Sequence, residues 1–216
     1  MNPPSTGYDV RVTLRLAVLG DSIGFGQGAA RPSHTPASRL SRLLAEDGID
    51  VRTEVFAVPG ARSVDLRPQV DGAVRWKPQL AVIVIGANDL AQRVPPEDAG
   101  AYLGEAVGRL RETGAEVVVA PAPDLSVVPQ APLSLRPALR RASEGLRARQ
   151  VDAALAAGAR VADLDGTTSA AFAEDRSLFS DDAFHPSSAG YAVITEALLP
   201  EVLAAVATLT SQDDPV

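Results

Sequence analysis

The sequence predicts a three-layer α/β/α domain, a parallel β-sheet covered by helices on both faces. Three observations predict it. Segments of strand character alternate with segments of helical character along most of the chain, the pattern of consecutive β-α units. Two strand segments, LAVIVI at 80–85 and EVVVA at 116–120, are apolar without alternation, as in strands buried on both faces. Turn-forming residues gather directly after the strand segments, where open α/β sheets place their ligands.

In chain order, residues 1–9 are polar with two prolines and read as a loose leader. Residues 12–19 form the first strand and 20–36, rich in Gly, Pro and Ser, a loop. A helix over 37–47 ends at Gly48. A strand over 51–58 runs into Pro59-Gly60, and a helix spans 63–76. After the strand at 80–85 comes a helix over 96–113. The strand at 116–120 leads into a loop over 121–137, which either lines a ligand pocket or packs on the core. A helix over 139–158, a short strand over 160–164 and a final amphipathic helix over 187–209 complete the domain, taken as 10–209. Residues 210–216 read as a polar tail.

Composition narrows the function. Apolar residues at 46% and charged residues at 22% describe ordinary globular material. A net charge of −7, with no basic run longer than two, argues against nucleic acid and anionic membrane surfaces as partners. The N-terminus lacks a signal-peptide pattern, and no apolar run approaches the ~18 residues of a membrane span; the reading is cytoplasmic. The chain has no cysteine and only two histidines, His34 and His185. Disulfides, thiolate nucleophiles and Cys- or His-rich metal sites are thereby excluded, so no metal or cofactor is expected.

The segments following the strands carry the chemistry. They are Gly20-Asp21-Ser22, Pro59-Gly60, Gly86-Ala87-Asn88-Asp89 and Asp182-Ala183-Phe184-His185. A serine hydroxyl becomes a nucleophile only beside a base, and His185 is one of two imidazoles. A carboxylate must orient that base, and Asp182 lies three residues before it, with Asp181 as its rival. An oxyanion needs donors: the backbone N–H groups of Ser22 and Gly60 and the Asn88 amide suit the task.

These blocks resemble those of the SGNH (GDSL-type) esterases, named for the four residues that here are Ser22, Gly60, Asn88 and His185. All four stand in the family's order, with Ile23 where leucine is commoner. The resemblance implies a flavodoxin-like five-stranded parallel sheet. It also implies hydrolysis of acyl esters or thioesters of small molecules through a Ser22-His185-Asp182 triad and an acyl-enzyme, without a metal.

Other matches weigh less. Gly20-x-Ser22-x-Gly24 fits the α/β-hydrolase elbow, but that fold places several strands before its serine. Gly24-x-Gly26-x-x-Ala29 fits a relaxed dinucleotide fingerprint, but Pro32 and Pro36 interrupt the helix it requires. Asp21 and Asp89 read as loop-stabilising, His34, Arg62 and Arg93 as surface residues, and Trp76 as a core residue. An acyltransferase on the same triad, a non-catalytic binding module, and a glycosidase using Asp89 and Asp182 are the alternatives.

Overall fold

The computed structural model describes residues 13–212, so the expected leader lies outside the described residues. Five strands form one sheet: β1 (Leu14–Gly20), β2 (Val51–Val55), β3 (Leu80–Val84), β4 (Glu116–Ala120) and β5 (Arg160–Val161). Their order is β2-β1-β3-β4-β5 and every pairing is parallel. This is the flavodoxin-like order, which reverses direction between β1 and β3.

Alternation of side chains across the strands divides the core in two. Leu16 and Val18 of β1, Leu80 and Val82 of β3 and Val118 of β4 face one layer. That layer holds α2 (Pro36–Glu46), α7 (Ala170–Glu174) and α8 (Ser188–Gln212). Ala17, Leu19, Ala81, Ile83, Val117 and Val119 face the opposite layer. It holds α3 (Leu66–Trp76), α5 (Pro96–Arg111) and α6 (Arg136–Ala156). Both faces of β3 and β4 are fully covered, which is why those segments carry no polar alternation. Each fully buried leucine or isoleucine here contributes about 1.5–3 kcal/mol of apolar burial.

Differences from the expected boundaries have local causes. The expected strand over 51–58 stops at Val55, because Phe56 and Ala57 both donate to the carbonyl of Val18 and break the ladder. The strand expected over 160–164 keeps two residues; Asp163 then accepts from the backbone of Asp165 and turns the chain. The segment expected as a loop over 20–36 contains a helical turn, α1 (Ser22–Phe25), and a further short helix, α4 (Ala87–Ala91), follows β3. A π-helical turn, Asp165–Ser169, links β5 to α7. The last helix runs to Gln212, three residues past its expected end.

One sequence expectation is corrected. Ser188–Ser211 is long and apolar enough, by length and a mean hydropathy of 1.7, to cross a membrane. Its only acidic residues, Glu196 and Glu201, are too few to interrupt it. In the fold, its Tyr191, Ile194, Leu198, Val202 and Ala205 pack into the first core layer, so the helix serves as a core element. Pro200 sits on its exposed side with Glu196, the residue whose carbonyl it leaves without the helical N–H donor.

Candidate active site

Hydrogen bonds join Ser22, His185 and Asp182, while Gly60 and Asn88 lie in the segments that follow β2 and β3. Asp21 follows β1 and caps α1, accepting from the Ile23 N–H at 2.9 Å. Ser22, buried, is the first residue of that turn, and among the described residues its backbone N–H has no acceptor.

His185 reaches Ser22 from the segment before α8. Its Nε2 lies 3.1 Å from Ser22 Oγ, and its Nδ1 lies 2.6 Å from Asp182 Oδ2. An ionised carboxylate only accepts, so Nδ1 carries the hydrogen and Nε2 presents a lone pair to the serine hydroxyl. Asp182 is held by its own turn. Its Oδ1 accepts from Ser180 Oγ at 2.8 Å and from the N–H groups of Phe184 and His185 at 2.9 Å. Desolvation pushes this carboxyl up, but the hydrogen bonds, led by that from His185, outweigh it and hold it well below the usual carboxylate range. Ala183 adopts φ 56°, a left-handed conformation that lets the turn close between Asp182 and His185. Asp181, the rival carboxylate, is exposed and has no hydrogen-bond or ion-pair partner among the described residues.

The Asp-x-x-His turn packs against the loop after α1. A Cβ on Gly28 would stand 2.5 Å from the carbonyl of Pro186 and 3.1 Å from His185 Cβ, so only glycine permits that approach.

The third group centres on Gly60 and Asn88. Gly60 is exposed with φ 83°, and among the described residues its N–H has no acceptor. Asn88 Nδ2 donates to the carbonyl of Ala61 at 3.0 Å, which ties it to the residue after Gly60 and leaves its second N–H uncommitted. Asp89 grips the same loop from below. Its two oxygens accept from the Ser63 N–H at 3.0 Å, and Oδ2 also accepts from Ser63 Oγ at 3.1 Å. Asp89 is fully buried and thus out of reach of a substrate, which removes the paired-carboxylate glycosidase reading. Burial pushes its carboxyl up, opposed by the Ser63 bonds. Asp21, equally buried, is pushed up to about 7, chiefly by desolvation and further by Asp89, while the Ile23 N–H opposes.

Beside Ser22 and His185 lies a cavity walled largely by apolar side chains, among them Leu125, Val127, Phe172, Phe179 and Ile194. The first half of the 121–137 segment thus lines it, while Leu133 and Leu135 are exposed. His34 is not a free surface residue: half-buried, its Nδ1 lies 2.8 Å from Ser188 Oγ at the start of α8. Arg62 is committed to Asp65 at 3.2 Å, Arg93 is exposed, and Trp76 packs edge-on against Phe56 at 6.3 Å.

Two supporting residues escape a reading of the sequence. Gln69 of α3 brackets the Gly20 peptide, accepting from its N–H at 2.8 Å and donating to its carbonyl at 2.9 Å. Gln150 of α6 accepts from the Ala122 N–H at 2.7 Å. Each is a polar residue on a buried helical stripe, the one sequence signal that could have marked them.

A profile of the GDSL-like lipase/acylhydrolase family matches residues 18–193. The chain belongs to that family. It is 34% identical over 194 residues to the GDSL-like esterase Rv1075c of Mycobacterium tuberculosis, over 88% of this chain and 62% of that protein. The chain therefore spans a little under two thirds of that relative's length. Among solved structures it is similar to TesA, with a TM-score of 0.73 and 23% identity over 88% of this chain and 99% of that one. It is also similar to a catalytic mutant of Axe2, an acetylxylan esterase from Geobacillus stearothermophilus, with a TM-score of 0.68 and 19% identity over 89% and 96% of the two chains. At these identities the likeness is one of fold, a GDSL-type three-layer α/β/α domain.

Proposed function

We propose that this GDSL-family protein hydrolyses acyl esters or thioesters of small molecules. One observation carries the reading: the chain of hydrogen bonds from Asp182 through His185 to Ser22 ends at the apolar cavity. Ser22 Oγ attacks the acyl carbonyl while Nε2 of His185 takes its proton. The oxyanion is received by the N–H groups of Ser22 and Gly60 and by the Asn88 amide. The intermediate collapses to an acyl-serine, and His185 returns the proton to the departing alcohol or thiol. Water, deprotonated by His185, then attacks the acyl-serine, releasing the acid and restoring Ser22. Asp182 keeps Nδ1 protonated and stabilises the imidazolium formed in each half-reaction.

A fluorophosphonate probe followed by intact-mass measurement tests this. One adduct is expected on the wild-type protein and none on Ser22→Ala. Labelling of both, or of neither, overturns the assignment of Ser22.

A further inference from the structure

β2 is an outer strand of the sheet, paired only with β1 among the described residues. The Asp50 carbonyl accepts from the Leu14 N–H, and the Phe56 N–H donates to the Val18 carbonyl, so both face β1. Strand alternation then turns the peptide groups of Arg52 and Glu54 toward β1 as well, and those of Val51, Thr53 and Val55 away from it. Those outward groups have no backbone partner among the described residues. Water satisfies such groups in a single chain, so the open edge by itself implies no partner. Nor does β2 carry the proline or lysine that commonly blunts an edge.

What distinguishes β2 is its sequence, Val51-Arg52-Thr53-Glu54-Val55. Valines flank it symmetrically about Thr53, while the charges at Arg52 and Glu54 are opposite. When a second copy lies antiparallel with Thr53 opposite Thr53, Arg52 of each copy stands opposite Glu54 of the other, and Val51 opposite Val55. Thr53 has outward peptide groups, so the central pair exchanges both hydrogen bonds across a two-fold axis. Registers shifted by two residues keep the hydrogen bonds but set Arg52 opposite Arg52, or Glu54 opposite Glu54, and like charges directly opposite are unfavourable. The side chains are available for this pairing. Val51 packs on the core and Thr53 bonds Ser41 of α2, so Arg52 and Glu54 lie on the other face of the strand. Both are exposed, with no hydrogen bond or ion pair from their side chains among the described residues. Val55, 39% exposed, would gain cover from Val51 of the second copy.

We propose that the open edge of β2 is a self-association surface, where two copies of this chain pair antiparallel about Thr53 and join their sheets into one. Main-chain hydrogen bonds hold the edges together, and the Arg52–Glu54 pairs fix the register. The carboxyl ends of the two sheets then point in opposite directions, so the two Ser22 sites open at opposite ends of the joined sheet.

Sedimentation equilibrium of the full chain tests this at tens of micromolar protein and low salt. The samples are wild type, Arg52→Glu, Glu54→Arg, an equimolar mixture of those two variants, and the double variant Arg52→Glu/Glu54→Arg. Wild type should be dimeric. Each single variant sets like charges opposite each other on both sides of the two-fold axis and should weaken self-association by roughly tenfold or more. In the mixture, the acidic edge of one variant meets the basic edge of the other, and dimers should return as heterodimers. The double variant exchanges the two charges within one chain and should dimerise as wild type does. That recovery also separates lost charge complementarity from lost folding. A monomeric wild type, single variants that associate as tightly as wild type, or a mixture and double variant that both stay monomeric each overturns the proposal.

Discussion

Asp182 is half exposed, yet four hydrogen bonds converge on it, three on Oδ1 and one on Oδ2. The three bonds on Oδ1 fix the carboxylate and aim Oδ2 at His185. Asp182→Asn keeps the shape but reverses the hydrogen-bonding sense toward Nδ1. It should lower kcat by on the order of 10³–10⁴-fold with little change in KM. A loss under tenfold in steady-state kinetics would mean that Asp182 does not set the tautomer. Asn88 is a different case, since its amide already holds Ala61. Asn88→Ala should therefore show two effects. Loss of the Ala61 bond should cost about 1 kcal/mol of stability. Loss of the oxyanion donor should lower kcat on the order of 10²–10³-fold while KM stays nearly constant. Thermal melts and kinetics on that one variant separate the roles: a lowered Tm with kcat within a few-fold would make Asn88 a loop tie only.

At the scale of elements, the site stands on strand ends that buried helix side chains complete. β2 leaves β1 before Gly20, and the Gly20 carbonyl keeps a bond from the Val58 N–H while its N–H depends on Gln69 of α3. Gln69→Leu would strand that N–H in a buried setting, at about 1–3 kcal/mol. Denaturant unfolding should report a loss in that range, and an unchanged midpoint would show that β1 needs no such brace. Gln69 also marks where sequence legibility ends. β3 and β4 are legible because burial on both faces writes an unbroken apolar run. Ser22, Gly60, Asn88 and His185 are legible as candidates because each sits in a Gly-, Pro- or Asn-containing turn just after a strand or just before the last helix. The partners of Gln69 and Asp89 lie 49 and 26 residues away, and no spacing within one segment encodes such pairs. The turns α1 and α4, at four and five residues, are too short for helical periodicity to show. The apolar length of α8 shows in its mean hydropathy rather than in an unbroken apolar run, because small and polar residues are spread along it.

Across the whole molecule, burial and hydrogen bonding push carboxylates in opposite directions, and their sum fixes how stability varies with pH. Asp182, Asp71 and Asp175 sit below the ordinary carboxylate range when folded, each through hydrogen bonds. Such groups stabilise the fold above the unfolded value of about 3.9, and that contribution is lost as pH falls below it. Asp21 has the opposite sign. Burial raises it to about 7, so between roughly pH 4 and 7 the folded state holds a proton that the unfolded chain has released. Stability must then fall as pH rises through that window, with Asp89, also raised by burial, adding to the slope. The two trends act in different windows, the first below about pH 4 and the second between roughly pH 4 and 7. Asp21→Asn isolates the larger contribution, because asparagine retains the carbonyl that accepts from Ile23 and carries no charge to desolvate. Equilibrium unfolding in urea at pH 5 and pH 8 should show wild type losing stability between the two, and Asp21→Asn losing clearly less. At pH 8 the variant should match or exceed wild type. Equal losses in the two proteins would mean that Asp21 is ionised in the fold at both pH values, its charge carried by the Ile23 bond and the surrounding peptide dipoles.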